Sequence, residues 1–250
     1  MNDQEAALSQ AGRLVGELFP GALGAVLGGS TARGNSTPMS DLDIGVLLPD
    51  RAESGREVIR YEGRLVERFL NSVGDVPEFF EWDRARRRAT VVFVYAQGVT
   101  LTDPHGHVAR TRQRAQETLT MGPPPLTAEQ WRHGRYVLTC YMDDLADTAI
   151  SPVNRSEQLV VADHVLREAA ELVTAHHGAW TGIGKWMPRR LLAADPVLGN
   201  ALLAGHQAVA ERADPKPLSA AAEQLLELVG GPLREGYSHR WQARPTGAQR

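Results

Sequence analysis

The sequence predicts a mixed α/β domain followed by an all-α helical bundle. In residues 1–121, apolar residues occur both at helical spacing and in short strand-like runs. Three consecutive prolines at positions 123–125 can continue neither a helix nor a strand. Beyond them the apolar residues recur at helical spacing, so residues 122–239 are predicted to form a helical bundle. Residues 240–250 are predicted to be a flexible tail.

The predicted elements of the first domain alternate between helices and strands. Residues 3–18 are predicted to form a helix, because their apolar positions recur on one helical face. Strands are predicted at 22–27 and 41–48, a helix at 55–72, strands at 76–82, 89–95 and 99–102, and a polar helix ending near residue 120. In the second domain, two long amphipathic helices are expected first, followed by helices at 185–194, 197–212 and 220–235.

The composition is that of a globular protein large enough to bury a full core. Of its 250 residues, 42% are hydrophobic and 23% are charged. The formal net charge of -3 gives no positive field for nucleic-acid phosphates, so a nucleic-acid partner is not expected. Because no apolar stretch approaches the roughly 20 residues that span a bilayer, we expect a cytoplasmic protein with no membrane partner.

A glycine turn and a pair of aspartates accompany the first two predicted strands. Gly28, Gly29 and Ser30 follow the first strand, and Asp41 and Asp43 open the second. Residues two apart in a strand share a face, so the two carboxylates project together and repel each other. A divalent cation such as Mg²⁺ removes that repulsion and prefers carboxylates together with phosphate oxygens. Glycine lets the backbone approach a phosphate closely, and the serine adds a hydroxyl donor. The segment therefore predicts a site for a metal-bound triphosphate.

These residues resemble the nucleotidyltransferase superfamily that includes DNA polymerase β and the kanamycin and streptomycin nucleotidyltransferases. The family pattern is an apolar residue, Gly-Gly/Ser, a gap of roughly ten residues and Asp-apolar-Asp-apolar, and this chain matches it with Gly28-Gly29-Ser30 and Asp41-Leu42-Asp43-Ile44. Aminoglycoside nucleotidyltransferases also have the two-domain layout, with the acceptor held in the cleft between domains. The resemblance implies Mg²⁺-dependent transfer, with two ions, of AMP from ATP to a hydroxyl of a small molecule.

The resemblance also assigns roles to individual residues. Gly28, Gly29, Ser30, Arg33, Ser40 and Lys185 are predicted to bind the nucleotide. Arg33 lies one helical turn beyond the glycine turn and could reach a terminal phosphate, or could be an ordinary solvated helix residue. Lys185 lies in a Gly-Lys-Trp segment like that of related two-domain enzymes, where it could neutralise triphosphate charge or simply begin a helix.

Two-metal transfer usually needs a third carboxylate beside Asp41 and Asp43, which are predicted to be catalytic and to hold the metal. Glu78, in the predicted strand 76–82, resembles the family's third motif. It is therefore predicted to complete the metal site and to accept the proton of the acceptor hydroxyl. Glu81 is the alternative, and it would face the opposite side of the strand because it lies an odd number of residues away.

An acidic group in the second domain is the predicted acceptor-binding site. Asp143, Asp144 and Asp147 are neighbours on a helix and repel one another, so a positive partner is implied. That partner could be an aminoglycoside-like cation or arginines of an adjacent helix.

The sequence leaves several functions open. The same chemistry could serve antibiotic resistance or biosynthesis, or could transfer AMP to protein or tRNA in the manner of a toxin. A catalytically silent member would be a nucleotide-binding module. Whether one chain or a homodimer forms the complete cleft is also open.

Overall fold

The computed structural model describes residues 3–34, 40–150 and 155–240 of the chain. Contacts divide the chain into two compact units, Met1–Pro124 and Pro125–Arg250. Apart from residue 240, the tail predicted at 240–250 lies outside the described residues.

The first unit is built on a five-stranded mixed sheet with the strand order β3-β4-β2-β1-β5. Strands β2 and β4 pair in parallel, and the other neighbours pair antiparallel. The elements of this unit are α1 (Asp3–Leu18), β1 (Gly24–Leu27), α2 (Gly29–Ala32), β2 (Leu42–Leu48), β3 (Gly55–Tyr61), β4 (Arg64–Ser72), α3 (Val76–Ala85), α4 (Thr90–Gln97), β5 (Val99–Thr102) and α5 (His107–Met121).

The two faces of this sheet carry different side chains. Leu42, Ile44 and Val46 of β2 are fully buried in the core that includes the apolar face of α1. Asp43 and Gly45 alternate with them and so point to the other face. There a Cβ at Gly45 would lie 3.1 Å from Cζ of Tyr95, so α4 packs directly on the sheet beside this glycine. The strand thus places Asp43 on the face that α4 partly covers.

The second unit consists of helices in its described part. They are α6 (Ala128–Ile150), α7 (Arg155–His176), α8 (Trp186–Ala194), α9 (Pro196–Arg212) and α10 (Lys216–Leu228). Their buried faces form one apolar core that includes Leu138, Leu166, Leu202 and Leu225. Across the described residues of both units, no helix combines the length and apolarity needed to cross a membrane. The predicted fold class, a small mixed sheet followed by helices, is confirmed.

The predicted helix at 55–72 is wrong, because this segment is the β3–β4 hairpin. Glu62 and Gly63 form the connection and both have positive φ, 45° and 82°. Positive φ at both central residues is the requirement of the tight turns that suit hairpins. The hairpin places β4 beside β2 in the sheet. A helix at 55–72 would have left β2 without this neighbouring strand.

The strands predicted at 76–82 and 89–95 are also wrong, because these segments form α3 and α4. Short apolar runs fit a strand or a buried helix equally well by periodicity. The Asp83 carboxylate caps the start of α4: it accepts hydrogen bonds from the backbone N–H groups of Val91 (2.7 Å) and Val92 (3.3 Å) in the first turn of that helix. Burial raises the pKa of the Asp83 carboxyl, although these backbone donors oppose the shift.

Candidate active site

The glycine turn is fastened to the start of β2. The Gly28 N–H donates to the carbonyl oxygen of Asp43 over 2.7 Å. A Cβ at Gly28 would lie 3.1 Å from Cγ1 of Val94, so α4 covers the turn closely. The turn and the aspartate strand therefore form one rigid corner of the sheet.

Gly29 lies directly against the Asp43 carboxylate. Its φ is +68°, in the left-handed region that favours glycine. A Cβ at this position would lie 1.8 Å from Oδ2 of Asp43 and 2.8 Å from its Cγ. A side chain at position 29 would therefore push the carboxylate out of its place.

Three carboxylates come together beside this turn. One oxygen from each of Asp41, Asp43 and Glu67, here called the acidic cluster, lies within 4.8 Å of the others. Parallel pairing of β2 and β4 sets Asp43 directly opposite Glu67, so both side chains project from the same face. Asp41 and Asp43 are half-buried, and Glu67 is buried.

The acidic cluster fits a hard divalent cation. Such ions bind oxygen ligands at about 2.0–2.6 Å, so two ligands of one ion lie at most about 5 Å apart. The spacing of up to 4.8 Å among the three oxygens satisfies this limit. Three carboxylates this close also repel one another, and a cation between them would relieve the repulsion.

The structure does not bring Glu78 or Glu81 to the aspartate pair, which corrects the predicted third carboxylate. Both are exposed residues of helix α3, and Oε2 of Glu81 lies 3.5 Å from Nη1 of Arg84. Their assignment depended on a strand at 76–82 that is a helix here. Glu67 is the residue whose carboxylate lies beside Asp41 and Asp43 in the described chain.

A signal for Glu67 does exist in the sequence. The glycine at 63 separates two runs of similar length in which charged and apolar residues interleave, at 55–61 and 64–72. Such runs around a turn residue are typical of a hairpin. A hairpin in this position would have made Glu67 a strand carboxylate that follows the aspartate strand along the chain.

The hydroxyl groups of the motif lie around the same corner. The Ser30 and Ser40 hydroxyl oxygens are 3.5 Å apart, and Ser40 directly precedes Asp41. The Thr31 hydroxyl donates to the carbonyl oxygen of Asp41 over 3.3 Å. Arg33 extends toward α4, where its Nη1 donates to Oε1 of Gln97 over 3.3 Å. The structure thus brings Ser30 and Ser40 to the glycine–aspartate corner.

The remaining predicted residues belong to the second unit. Lys185 is exposed and precedes the first turn of α8. Asp143 forms a bidentate ion pair with Arg234, whose guanidinium holds the pKa of that carboxyl below its ordinary value. Asp144 and Asp147 are exposed on α6. For Asp143, an arginine is therefore the positive partner that the sequence implied.

The second unit also contains a cavity of about 630 Å³ that the sequence did not predict. Glu129, Glu168 and Glu171 contribute carboxylates to its lining. The described lining has no lysine or arginine, but it includes two histidines, and Nδ1 of His239 lies 3.1 Å from Oε1 of Glu129. Burial raises the pKa of Glu168 to about 7, and the nearby charge of Glu171 adds to the shift.

Aromatic rings form another part of the cavity wall. Tyr136 and Tyr237 stack with ring centroids 3.9 Å apart, and the Tyr237 hydroxyl lies 2.8 Å from Nδ1 of His133. A concave site of this size is within the range of small-molecule pockets. The lining is acidic and aromatic, a combination that suits organic cations.

A solved structure and a family model are similar to this chain. The solved structure of a nucleotidyltransferase-like protein from Exiguobacterium sibiricum 255-15 is similar at 13% sequence identity, covering 89% of this chain and 74% of that one with a TM-score of 0.44. No curated protein matches the sequence. Residues 8–93 match the family model described as "Nucleotidyltransferase domain", and this range contains both the glycine turn and the acidic cluster. Residues 8–93 are thus similar to a nucleotidyltransferase domain, and they lie in a unit built on a five-stranded mixed sheet that is followed by a largely helical region.

Proposed function

We propose that this protein transfers AMP from ATP to a hydroxyl group of a small molecule and releases pyrophosphate. The observation that carries the proposal is the contact between Gly29 and Asp43, which places an open backbone turn against three clustered carboxylates. The similarity to a nucleotidyltransferase domain supports nucleotide transfer in general. We further propose that ATP is the donor and that the acceptor is a small molecule.

Asp41, Asp43 and Glu67 would hold the divalent cation, such as Mg²⁺, that the acidic cluster fits. When bound, this metal supplies positive charge that offsets the charge of the triphosphate and of the transition state. The number of ions, predicted as two, remains part of the proposal.

The chain's own groups then position the reactants. The turn at Gly29 has no side chain to keep a phosphate away, and the Ser30 hydroxyl can donate to a phosphate oxygen. The acceptor oxygen forms a bond to the α-phosphorus while the bond to the β-phosphate oxygen breaks, and pyrophosphate leaves with that electron pair. The acceptor proton passes to a carboxylate within hydrogen-bonding reach. We assign this step to Glu67, in place of Glu78.

We infer that the acceptor carries amino groups, as aminoglycosides do. The support is the cavity of the helical unit, where three glutamates line the wall and the described lining has no basic Lys or Arg side chain. An ammonium group would compensate the charge that Glu168 and Glu171 place near each other. Such an acceptor is compatible with antibiotic resistance and with biosynthesis.

A pyrophosphate-release screen tests the proposed function. Four nucleoside triphosphates are combined with aminoglycosides, lincosamides and uncharged sugar alcohols, and we expect release with ATP and an amine-bearing acceptor. Asp41→Asn and Asp43→Asn should each lower the rate by at least roughly 100-fold, since each removes charge stabilisation at the reacting phosphate. Circular dichroism should show unchanged folding.

Two outcomes would contradict the proposal. Label transferred from ATP to protein or tRNA in a lysate, with no small labelled product, would indicate a toxin-like enzyme. ATP binding without pyrophosphate release for any acceptor would indicate a silent nucleotide-binding module.

A further inference from the structure

One basic side chain is built into the acidic cluster. Arg56 of β3 forms an ion pair with Glu67, through its Nε and the Oε1 of the glutamate. In the antiparallel register, Arg56 lies opposite Phe69 and Val58 lies opposite Glu67. Directly opposed strand residues share a face, so Arg56 projects from the same face of the sheet as Glu67 and Asp43.

The two partners of this ion pair differ in their exposure to water. The Glu67 side chain is 12% exposed, whereas the Arg56 side chain is 65% exposed. A buried carboxylate needs a partner because its charge has lost most of its hydration. An exposed guanidinium can return to water at little cost, because surface ion pairs are weak. Glu67 therefore depends on a positive charge, while Arg56 can leave.

The other ion pair of the hairpin has the opposite arrangement. Arg68 pairs with Glu57 across β3 and β4, and here the arginine side chain is 11% exposed and the glutamate 51%. Both guanidinium carbons lie over a phenylalanine ring, Arg68 at 5.2 Å from the Phe19 centroid and Arg56 at 5.5 Å from the Phe69 centroid, so burial is what distinguishes the two arginines. Arg68 is thus held in the fold. The two ion pairs of the hairpin therefore differ, and only the pair at the acidic cluster has an exposed arginine.

We propose that Arg56 is a resident counter-ion of the acidic cluster, which a divalent cation displaces from Glu67 when it binds. This inference rests on the metal site of the proposed function. Because the guanidinium and the cation compete for one carboxylate, Arg56 lowers the affinity of the cluster for metal. Its positive charge also reduces the repulsion among the three carboxylates before metal arrives.

The test is the affinity of the full chain for Mn²⁺ without nucleotide, measured from free Mn²⁺ by electron paramagnetic resonance. Arg56→Gln should bind Mn²⁺ roughly fivefold more tightly than the wild type, because the cation then no longer competes with a guanidinium that is weakly held at the surface. Arg60→Gln is the matched control, since Arg60 is an exposed arginine of the same strand that donates to the Gly63 carbonyl. It removes the same charge and should leave the affinity unchanged.

A second comparison isolates the competition for Glu67. In the Glu67→Gln background, Arg56→Gln should no longer raise the affinity, because the carboxylate for which the two cations compete is gone. Circular dichroism of each variant checks folding, and Arg56→Ala provides an independent substitution.

Three results would overturn the inference. Equal Mn²⁺ affinities for the wild type and Arg56→Gln would exclude the competition. If Arg60→Gln raised the Mn²⁺ affinity as much as Arg56→Gln does, the change would come from the net charge of the protein and not from the pairing with Glu67. If neither the wild type nor any variant binds Mn²⁺, the metal site of the proposed function fails together with the inference.

Discussion

At the scale of single residues, the position of the Asp43 carboxylate depends on the missing side chain of Gly29. A Cβ at position 29 would lie 1.8 Å from the carboxylate oxygen, and the φ of +68° adds a backbone penalty for any other residue. The collision would displace the carboxylate, and the unfavourable backbone conformation would lower the stability of the fold. Gly34, which is also left-handed but has no carboxylate beside it, allows the two effects to be distinguished.

We predict that Gly29→Ala lowers both stability and metal affinity. The left-handed backbone should reduce the free energy of unfolding by about 1–2 kcal/mol. The collision with Asp43 should disturb the acidic cluster and weaken Mn²⁺ binding several-fold. Urea unfolding and a Mn²⁺ titration measure the two effects.

Gly34→Ala is the control for this prediction. Gly34 also has a left-handed φ, +71°, but the nearest atom to its Cβ would be Oε1 of Gln4 at 3.9 Å. Its substitution should cost similar stability and leave metal affinity unchanged. Wild-type Mn²⁺ affinity in Gly29→Ala would contradict the close approach of position 29 to the carboxylate.

At the scale of elements, the sequence predicted contacts within a short motif but not contacts that depend on the pairing of strands distant in the chain. The glycine turn and Asp41-Leu42-Asp43 form one short motif, so their meeting could be predicted from spacing. Glu67 meets them only through the parallel pairing of β2 with β4, which local spacing does not encode. Local spacing therefore pointed to Glu78 in the segment 76–82, and not to Glu67, as the carboxylate beside the two aspartates.

The edge position of β3 explains why the hairpin resembled a helix. β3 is the outer strand of the sheet, and Val58 is 58% exposed although it is apolar. Leu65 of β4 is 43% exposed as well. Exposed apolar residues blur the alternation that identifies a strand, and here they also matched one face of a helix.

The contact between α6 and α7 places a carboxyl group where its charge is poorly hydrated. A Cβ at Gly134 of α6 would lie 2.7 Å from Leu172 Cδ2 and 3.2 Å from Glu168 Oε1, both on α7. This close approach buries Glu168, whose pKa rises to about 7.

We predict that Glu168 makes the protein less stable as pH rises from about 4.5 to 7. In that range the folded protein holds a proton that the unfolded chain has released, since the ordinary pKa is 4.5. Proton release then favours the unfolded state, and the loss is complete above pH 7. Glu168→Gln should therefore exceed the wild type in stability at pH 8 by on the order of 1–3 kcal/mol.

Unfolding monitored at pH 4, 6 and 8 checks this prediction, with Glu223→Gln as the control. Glu223 is an exposed glutamate of α10. Parallel pH profiles for Glu168→Gln and the wild type would show that Glu168 has no raised pKa.

At the scale of the whole molecule, two units contribute different chemistry. The sheet unit carries the glycine turn and the acidic cluster, and the helical unit carries a cavity with glutamate and tyrosine walls. The change from mixed sheet to helices was visible in the sequence because periodicity changes after the prolines. The cavity was not, since its walls combine residues from 126 to 239 that only folding brings together.

We propose that Glu67 completes a metal centre with Asp41 and Asp43. The most direct measurement is the Mn²⁺ affinity of Glu67→Gln compared with that of Glu78→Gln, two substitutions that remove the same charge from the same unit. We expect Glu67→Gln to weaken binding at least roughly tenfold, because affinity depends on the number of charged ligands, and Glu78→Gln to bind as the wild type does. Weakened binding in Glu78→Gln with wild-type binding in Glu67→Gln would contradict the account.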